Sequence, residues 1–250
     1  MIANFAFLAP QTLAEALAAL HTYGEEAAPL AGGTNLLLSL RSGQRQPRVV
    51  LDMTPLATLS ELRCVDGQTR LGALTTLTAV LDSPLLSGAA TALRTSAADF
   101  GSPLTRNRAT LGGNLADASP AADTAVPLLA LGASVELESA RRGRRIVPLA
   151  EFFVAPRQTR RQPDELLTAN TFPTPPPTAT GGFIKLARRD AMAVAVVSAS
   201  VVLEWQGDRC QRGRIALGAV APTPIRAYSG EALLTGKRLD AACIAACARE

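Results

Sequence analysis

The sequence predicts an α+β fold assembled from many short strands and short helices, without a regular βαβ alternation. Three observations predict it. Helix-period apolar runs stay short and are broken by turn dipeptides such as Asp66-Gly67. The strand-like runs of the first two thirds are also short, and two long ones follow only beyond residue 193. Hydrophobic residues make up 48% of the 250 and charged residues 18%, which supplies a buried core and is too apolar for disorder.

Taken in order, Leu13, Ala16, Leu17 and Leu20 repeat at helical spacing, behind a Thr12/Glu15 capping-box pattern and ahead of Gly24 as a stop. Leu30-Ala31 reads as a short strand, Gly32-Gly33-Thr34 as a turn, and Asn35 to Leu40 as a short helix. Val49-Val50-Leu51 is a buried strand. Leu62–Val65 and Arg70–Leu74 form a hairpin about Asp66-Gly67. Helices are expected around Thr76–Leu81 and Pro84–Ala98. Phe100 to Leu115 lacks periodicity and carries Pro103 and Gly112-Gly113, so it reads as an ordered loop. Ser119-Pro120 opens a helix expected to run to Leu131, with Gly132 closing it. Val135–Glu138 and Ile146-Val147 are strands about an arginine turn. The stretch Pro173 to Gly182, with Gly181-Gly182 at its end, suits neither helix nor central strand and reads as a linker. Ala193–Trp205 and Arg214–Val220 are two long strands joined at Gln206-Gly207-Asp208, and Leu239–Ala248 is a final helix.

Composition removes several function classes. The net charge is +4, and much of the excess lies in Arg141–Arg145 and Arg157–Arg161. Aromatics are only 4%, so no basic-aromatic platform for nucleic acid exists, and the arginine runs read as solvated loops or rims facing an acidic partner. No apolar stretch is long enough to span a bilayer, and no signal peptide is expected. Cys64, Cys210, Cys243 and Cys247 form no CxxC and suit free thiols in a reducing cytoplasm. Cys243 and Cys247, four apart, read as small core residues rather than a redox pair. The one histidine, His21, falls on an exposed helix end, which discards multi-histidine metal sites and Ser-His-Asp catalysis.

Two segments carry the chemistry. One is Pro29-Leu30-Ala31-Gly32-Gly33-Thr34-Asn35-Leu36; the other runs from Thr110-Leu111-Gly112-Gly113-Asn114 through Ser119-Pro120-Ala121-Ala122-Asp123. A glycine turn that opens a helix leaves backbone N–H groups unpaired and admits a ligand close to the main chain, which suits a pyrophosphate. Thr34, Asn35, Thr110 and Asn114 add neutral donors, and Asp123 is an acceptor for sugar hydroxyls. Neither loop is followed by a Walker lysine, and GxGxxG is absent.

Together with Arg106-Asn107-Arg108-Ala109 before the second loop, these segments resemble the FAD-binding subunit of molybdenum hydroxylases. That family includes carbon monoxide dehydrogenase, xanthine dehydrogenase and related aldehyde, nicotinate and aromatic acyl-CoA enzymes. The resemblance continues in family order through Pro163–Leu167, Phe183–Arg189 and Gly218–Pro224, so it covers essentially the whole chain. It implies a two-subdomain FAD-binding domain of the PCMH or vanillyl-alcohol-oxidase-like type over 1–173, divided at about 1–55 and 56–173. A Pro/Gly linker at 174–182 and a small α+β domain at 183–250 would follow. Relatives usually continue past the position of Glu250, so this last domain is expected to be cut short. Asn35 differs from the Asp, Ser or Glu of many relatives, and the cysteine-rich insertion of hydroxybenzoyl-CoA reductases is not found after Asp117.

Carried over residue by residue, the resemblance implies that Ala31, Gly32, Gly33, Thr34, Asn35 and Leu36 hold the pyrophosphate of FAD, with Leu36 near the flavin ring. Thr110, Gly112, Gly113 and Asn114 would complete the clamp, and Asp123 would take the sugar portion. Phe100 matches an aromatic near the adenine, or is a plain core residue. Lys185 lies in the strand bordering the flavin, although its side chain reads as a surface lysine. No histidine matches a covalent flavin attachment. The implied activity is electron transfer. An iron–sulfur small subunit would pass electrons from a molybdopterin large subunit to FAD, in a dimer of heterotrimers, and NAD, oxygen or a quinone would accept them. A stand-alone flavin oxidase of the same fold is the enzymatic alternative. A flavin-free assembly protein is the non-enzymatic one, distinguished by the visible absorption of purified protein.

Overall fold

The computed structural model describes residues 4–250. Strand β1 (Ala6–Leu8) leads into α1 (Leu13–Tyr23). The Thr12 hydroxyl accepts from the Glu15 N–H, and the Glu15 carboxylate reaches back to the N–H of Gln11, one residue short of the usual reciprocal partner. Then come β2 (Ala27–Leu30), α2 (Leu36–Arg41) and β3 (Val49–Asp52), and the three strands pair in parallel in the order β1-β3-β2.

Next come β4 (Leu62–Val65) and β5 (Gln68–Gly72), joined by Asp66 and Gly67 at φ +51° and +71°, the left-handed pair a two-residue hairpin requires. A helical layer follows: α3 (Leu77–Asp82), α4 (Thr91–Ala98), α5 (Pro103–Arg106), α6 (Leu111–Asp117) and α7 (Ala125–Ala130). Strands β6 (Ser134–Ser139) and β7 (Gly143–Pro148), helix α8 (Leu149–Phe152) and the small hairpin β8 (Phe153–Ala155) and β9 (Gln158–Thr159) come next. Strand β10 (Glu165–Pro173) then inserts between β5 and β6, giving an antiparallel sheet in the order β4-β5-β10-β6-β7. The third sheet is antiparallel: β11 (Thr180–Ala187), β12 (Ala195–Gln206), β13 (Arg209–Gly218) and β14 (Ile225–Arg226). Helices α9 (Tyr228–Leu234) and α10 (Ala241–Cys247) close the described chain.

Several sequence expectations change. The stretch from Phe100 to Leu115 is not a loop: Ser102 caps α5 with Pro103 at its first position, and Thr110 caps α6. Gly112-Gly113 therefore lies inside a first helical turn. The Ser119-Pro120 helix starts only at Ala125, because the Ser119 hydroxyl accepts from the Ala121 N–H and folds residues 119–124 into a turn. The Pro84–Ala98 helix begins at Thr91, after a 3-10 turn at Gly88–Ala90. Gly181 and Gly182 are not linker but part of β11. It is an edge strand, and Gly181 lets it pass over the Ala89 carbonyl, which any Cβ would overlap. Cys243 and Cys247 are only partly buried and face α9, where their thiols reach the carbonyls of Leu233 and Gly230.

All six residues of α7 are buried, as a helix apolar on every side must be. It lies between two sheets. Leu71, Val135, Leu137, Leu167 and Phe172 of the five-stranded sheet join Leu115, Val126 and Leu128 of the helices and Val202 and Ala216 of the third sheet in one continuous core. A second core packs α1 on the parallel sheet through Leu17, Leu20, Leu51 and Met53, and reaches Leu166 of β10.

The arginine runs are largely committed within the chain. On β7, Arg144 pairs with Glu136 at 2.7 Å, and Arg145 pairs with Glu165 through Nε at 2.6 Å and Nη2 at 2.9 Å. Arg70 meets the same Glu136 at 3.1 Å, Arg142 pairs with Asp164, and Arg157 pairs with Asp117. Arg161 donates to the carbonyls of Gln162 and Glu165. The reason is register: on one face of the sheet Glu136 of β6 lies among Arg70 of β5 and Arg144 of β7, and on the opposite face Glu165 of β10 lies on the side of Arg145.

Burial works against the charged form of Glu165. The bond from Arg145, the Gln162 N–H and the charges of Arg145 and Arg142 outweigh it and hold the carboxyl below its ordinary range. A depressed folded value means stability that is present above the unfolded value, about 4.3, and lost as pH falls through the folded one. Arg145 is 40% exposed, so solvent screening trims the effect. Glu165→Gln is expected to cost about 2 kcal/mol at pH 7, with the gap to wild type closing in acid. Urea denaturation at pH 7 and pH 3 reads this, and an equal gap at both values contradicts it.

Candidate functional site

The first glycine loop joins β2 to α2. The Met53 N–H donates to the Leu30 carbonyl at 2.9 Å and fixes the strand end. Gly33 turns the chain at φ +77°, and its carbonyl accepts from the Leu37 N–H, which starts α2. Gly32 is a glycine for a different reason: a Cβ there would overlap the Arg108 carbonyl oxygen. The two loops, 76 positions apart at this contact (108 − 32), therefore touch backbone to backbone. The N–H groups of Gly32, Gly33, Thr34 and Asn35 donate to no described residue. Asn35 is exposed, while Ala31, Thr34 and Leu36 are half-buried.

The second loop is built differently. Thr110 is the N-cap of α6, its hydroxyl oxygen accepting from the Gly113 N–H at 3.1 Å. The Leu111 N–H donates to the Thr75 carbonyl, and the Gly112 N–H to the Ala73 carbonyl, both at 2.9 Å. The amides that sequence reasoning treated as free are thus consumed at the end of β5. Gly112 is a packing glycine, since a Cβ would lie 2.6 Å from that of Ala73. What this turn exposes is Gly113, with the side chain of Asn114 half-buried beside it, while Thr110 is buried and keeps one hydroxyl hydrogen to donate. The Thr124 hydroxyl donates to Asn114 Oδ1 at 2.7 Å, so the Asn114 NH2 is left pointing away as a donor.

Asp123 directly precedes Thr124. Its side chain is 7% exposed and that of Lys185 5%, and Lys185 Nζ donates to Asp123 Oδ2 at 2.7 Å. Lys185 is therefore not a surface lysine. It occupies the inward row of β11, where the ammonium also donates to the Asp99 carbonyl at 3.1 Å. One ammonium hydrogen remains, and beside it Asp123 Oδ1 is buried without a partner. Burial pushes the Asp123 carboxyl up from its ordinary value. The Lys185 hydrogen bond and charge oppose that shift, and the charge of Asp99 adds to it. Phe100 follows Asp99 and packs against the main core while its carbonyl accepts from Arg106.

The structure joins these residues in an unbroken chain of contacts. Gly32 meets Arg108 beside Thr110, Asn114 meets Thr124, and Asp123 meets Lys185, which meets Asp99 beside Phe100. Sequence reasoning missed Thr124 and Asp99, and gave Arg108 only as part of the motif. Arg108 contributes a carbonyl, for which a sequence holds no side-chain signal, and Asp99 a carbonyl together with its charge. Among the described residues no group of His, Cys, Asp or Glu side chains could hold a metal ion, and no helix is long and apolar enough to cross a membrane.

Two family models match. The "FAD binding domain in molybdopterin dehydrogenase" matches residues 3–175, and the "CO dehydrogenase flavoprotein C-terminal domain" matches residues 182–250. The chain is 32% identical to the nicotinate dehydrogenase FAD-subunit of Eubacterium barkeri, over 94% of this chain and 81% of that one. It is 32% identical to the carbon monoxide dehydrogenase medium chain of Afipia carboxidovorans, over 95% and 82%. Among solved structures, carbon monoxide dehydrogenase from Hydrogenophaga pseudoflava superposes with a TM-score of 0.95 at 30% identity, covering 100% of this chain and 86% of that one. Quinoline 2-oxidoreductase from Pseudomonas putida superposes with a TM-score of 0.91 at 30% identity, covering 100% and 86%. By both domains and over almost its full length, the chain belongs to the FAD-binding medium-subunit family of the xanthine dehydrogenase and carbon monoxide dehydrogenase type.

Proposed function

We propose that the chain binds FAD non-covalently along this line of residues and serves as the electron-transfer subunit of a molybdenum hydroxylase. One observation carries the reading. Four unpaired amides at Gly32–Asn35 are tied through Arg108–Thr110 and Asn114–Thr124 to a buried carboxylate oxygen that lacks a donor. Unpaired N–H groups at a glycine turn suit a diphosphate, and an orphaned acceptor beside a free ammonium hydrogen suits a hydroxyl, which both donates and accepts. The residues therefore fit a dinucleotide with sugar or polyol hydroxyls.

In this reading the Gly32–Asn35 amides, with Ala31 and Leu36 flanking them, take the diphosphate. The Thr110 hydroxyl and Asn114 NH2 assist, Gly113 leaves room for close approach, and Gly112 holds α6 against β5. Asp123 and Lys185 fix a hydroxyl-bearing portion, Phe100 backs the adenine side, and Leu36 lies toward the ring. Bound FAD supplies reversible electron uptake; the protein positions it and keeps water from the buried pair. The proposed donors are an iron–sulfur small subunit and a molybdopterin large subunit in a dimer of heterotrimers, with NAD, oxygen or a quinone as acceptor. Four unpaired cysteines accord with a cytoplasmic setting.

Three outcomes test this. Gly33→Val places a branched side chain at φ +77°, where even a Cβ would be 3.2 Å from Leu30 and Leu37. It should lower FAD affinity at least tenfold by fluorescence titration, and wild-type affinity would exclude the first loop from the site. Asp123→Asn keeps the shape and removes the charged acceptor, at an expected cost of about 1–3 kcal/mol of binding. Because burial raises the Asp123 value, wild-type affinity should decline in acid starting above the ordinary carboxylate range, and the asparagine variant should flatten that profile. An unchanged profile removes Asp123 from the contact. Finally, the FAD-loaded chain alone should hydroxylate no purine, aldehyde, aromatic acid or carbon monoxide in a dye-coupled assay, and such substrates should reduce its flavin only when the two partner subunits are added. Turnover by the isolated chain would favour a stand-alone flavin oxidase.

A further inference from the structure

The turn that carries Asp123 is held at both ends by the third sheet: at one end by Lys185 of the proposed site, at the other by residues outside that site. Lys185, Ser198 and Gly218 are direct cross-strand neighbours on β11, β12 and β13, so they form one row on one face of the third sheet. The 119–124 turn lies over this row. At one end Lys185 binds Asp123. At the other, the Ala219 N–H donates to the Pro120 carbonyl at 3.0 Å. Ala219 makes that contact at φ +63°, a left-handed conformation that strains a non-glycine residue and marks a position fixed by its surroundings. The bonds within the turn, Ala121 N–H to Ser119 Oγ and Ala122 N–H to the Ser119 carbonyl, lie before Asp123 and do not restrain its side chain.

Gly218 sets how closely turn and sheet approach. A Cβ there would stand 2.5 Å from Ser198 Oγ and 2.6 Å from Val126 Cγ2, and Val126 is the second residue of α7, fully buried. The Ser198 hydroxyl can turn about χ1 while its backbone stays in the ladder, but the Val126 methyl sits on a fully buried helix, so relief there comes from a shift of α7 and the turn. Displacing α7 moves Thr124 and Asp123, which immediately precede it. That single shift disturbs both the Thr124–Asn114 bond and the Asp123–Lys185 bond.

We infer that Gly218 and Ala219 are positioning residues for cofactor binding. The bare backbone at 218 and the left-handed amide at 219 seat the 119–124 turn so that Asp123 presents its free oxygen. The inference rests on the FAD reading above. It assigns to the C-terminal sheet, through residues that touch no cofactor, control of a contact made by the N-terminal part of the chain.

The test is FAD titration of the flavin-stripped full chain, with circular dichroism and thermal melting of each apo-protein. Wild type comes first: absence of FAD binding there defeats the FAD reading itself, separately from this inference. If wild type binds, Gly218→Ala should weaken FAD at least tenfold. Adding Ser198→Gly and Val126→Ala, which delete the two atoms the new methyl meets, should restore affinity to within about threefold. The same truncations lower the apo-protein melting temperature further, because they remove core contacts. Recovery of binding in a less stable protein is the signature of positioning rather than general destabilisation. Ser198→Thr, which crowds the same gap from the strand side and suits β-structure, should weaken FAD several-fold even if Gly218→Ala does not fold. Unchanged affinity in Gly218→Ala overturns the inference. So does failure of the triple variant to recover binding, or wild-type affinity in Ser198→Thr when Gly218→Ala is unfolded.

Discussion

An ion pair buried between the third sheet and the helical layer organises this molecule. Asp123 and Lys185 come from segments 62 positions apart, and their side chains are 7% and 5% exposed. Taking both charges out of water costs several kcal/mol per ion before their attraction is counted. The pair persists only because the third sheet stacks its inward row on the helical layer and α7 fills the gap apolar on every side. One core running from Leu71 through Leu128 to Val202 makes that stacking unavoidable, and the pair is where it meets polar chemistry.

The two glycine pairs divide their work unequally. Both open short helices, and both look like phosphate loops in sequence. In the first, the amides stay unpaired because β2 has ended and α2 has not begun. In the second, the end of β5 supplies the carbonyls of Ala73 and Thr75, and the helix start is locked into the sheet. The second pair therefore serves rigidity and spacing, and the Asn114 NH2 with the Thr110 hydroxyl supplies the hydrogen-bonding capacity that remains. Gly32 connects the two by letting its backbone press on the Arg108 carbonyl.

The arginine-rich segments show how charge is used away from the site. A basic run on a loop is free to meet a partner, whereas the same run on β7 falls beside two carboxylates buried to 1% exposure, Glu136 and Glu165. Each carboxylate removed from water requires a guanidinium in reach, and Arg70, Arg144, Arg145 and Arg142 answer that need. The arginines of this run are to that extent internal counterions rather than a free basic surface.

Much of this was legible in the sequence because local rules decided it. Thr12 and Gly24 bound α1, Asp66-Gly67 forms the hairpin, and the apolar alternation past residue 193 gives the long strands. The two glycine segments with Asp123, read in order, indicated the family. What sequence left open depends on groups far away in the chain. Gly112-Gly113 read as loop because two glycines are poor helix formers, and only docking of α6 on β5 compensates them. The Ser119-Pro120 start failed because the serine hydroxyl serves a turn held from outside by Ala219. Lys185 read as exposed because a lone lysine in an apolar strand normally is; the carboxylate that draws it inward lies on another element. Caps, turns and periodicity act within a few residues and are written in the sequence. Which amide is spent, which charge is paired and which glycine is indispensable are settled by neighbours that only the tertiary packing supplies.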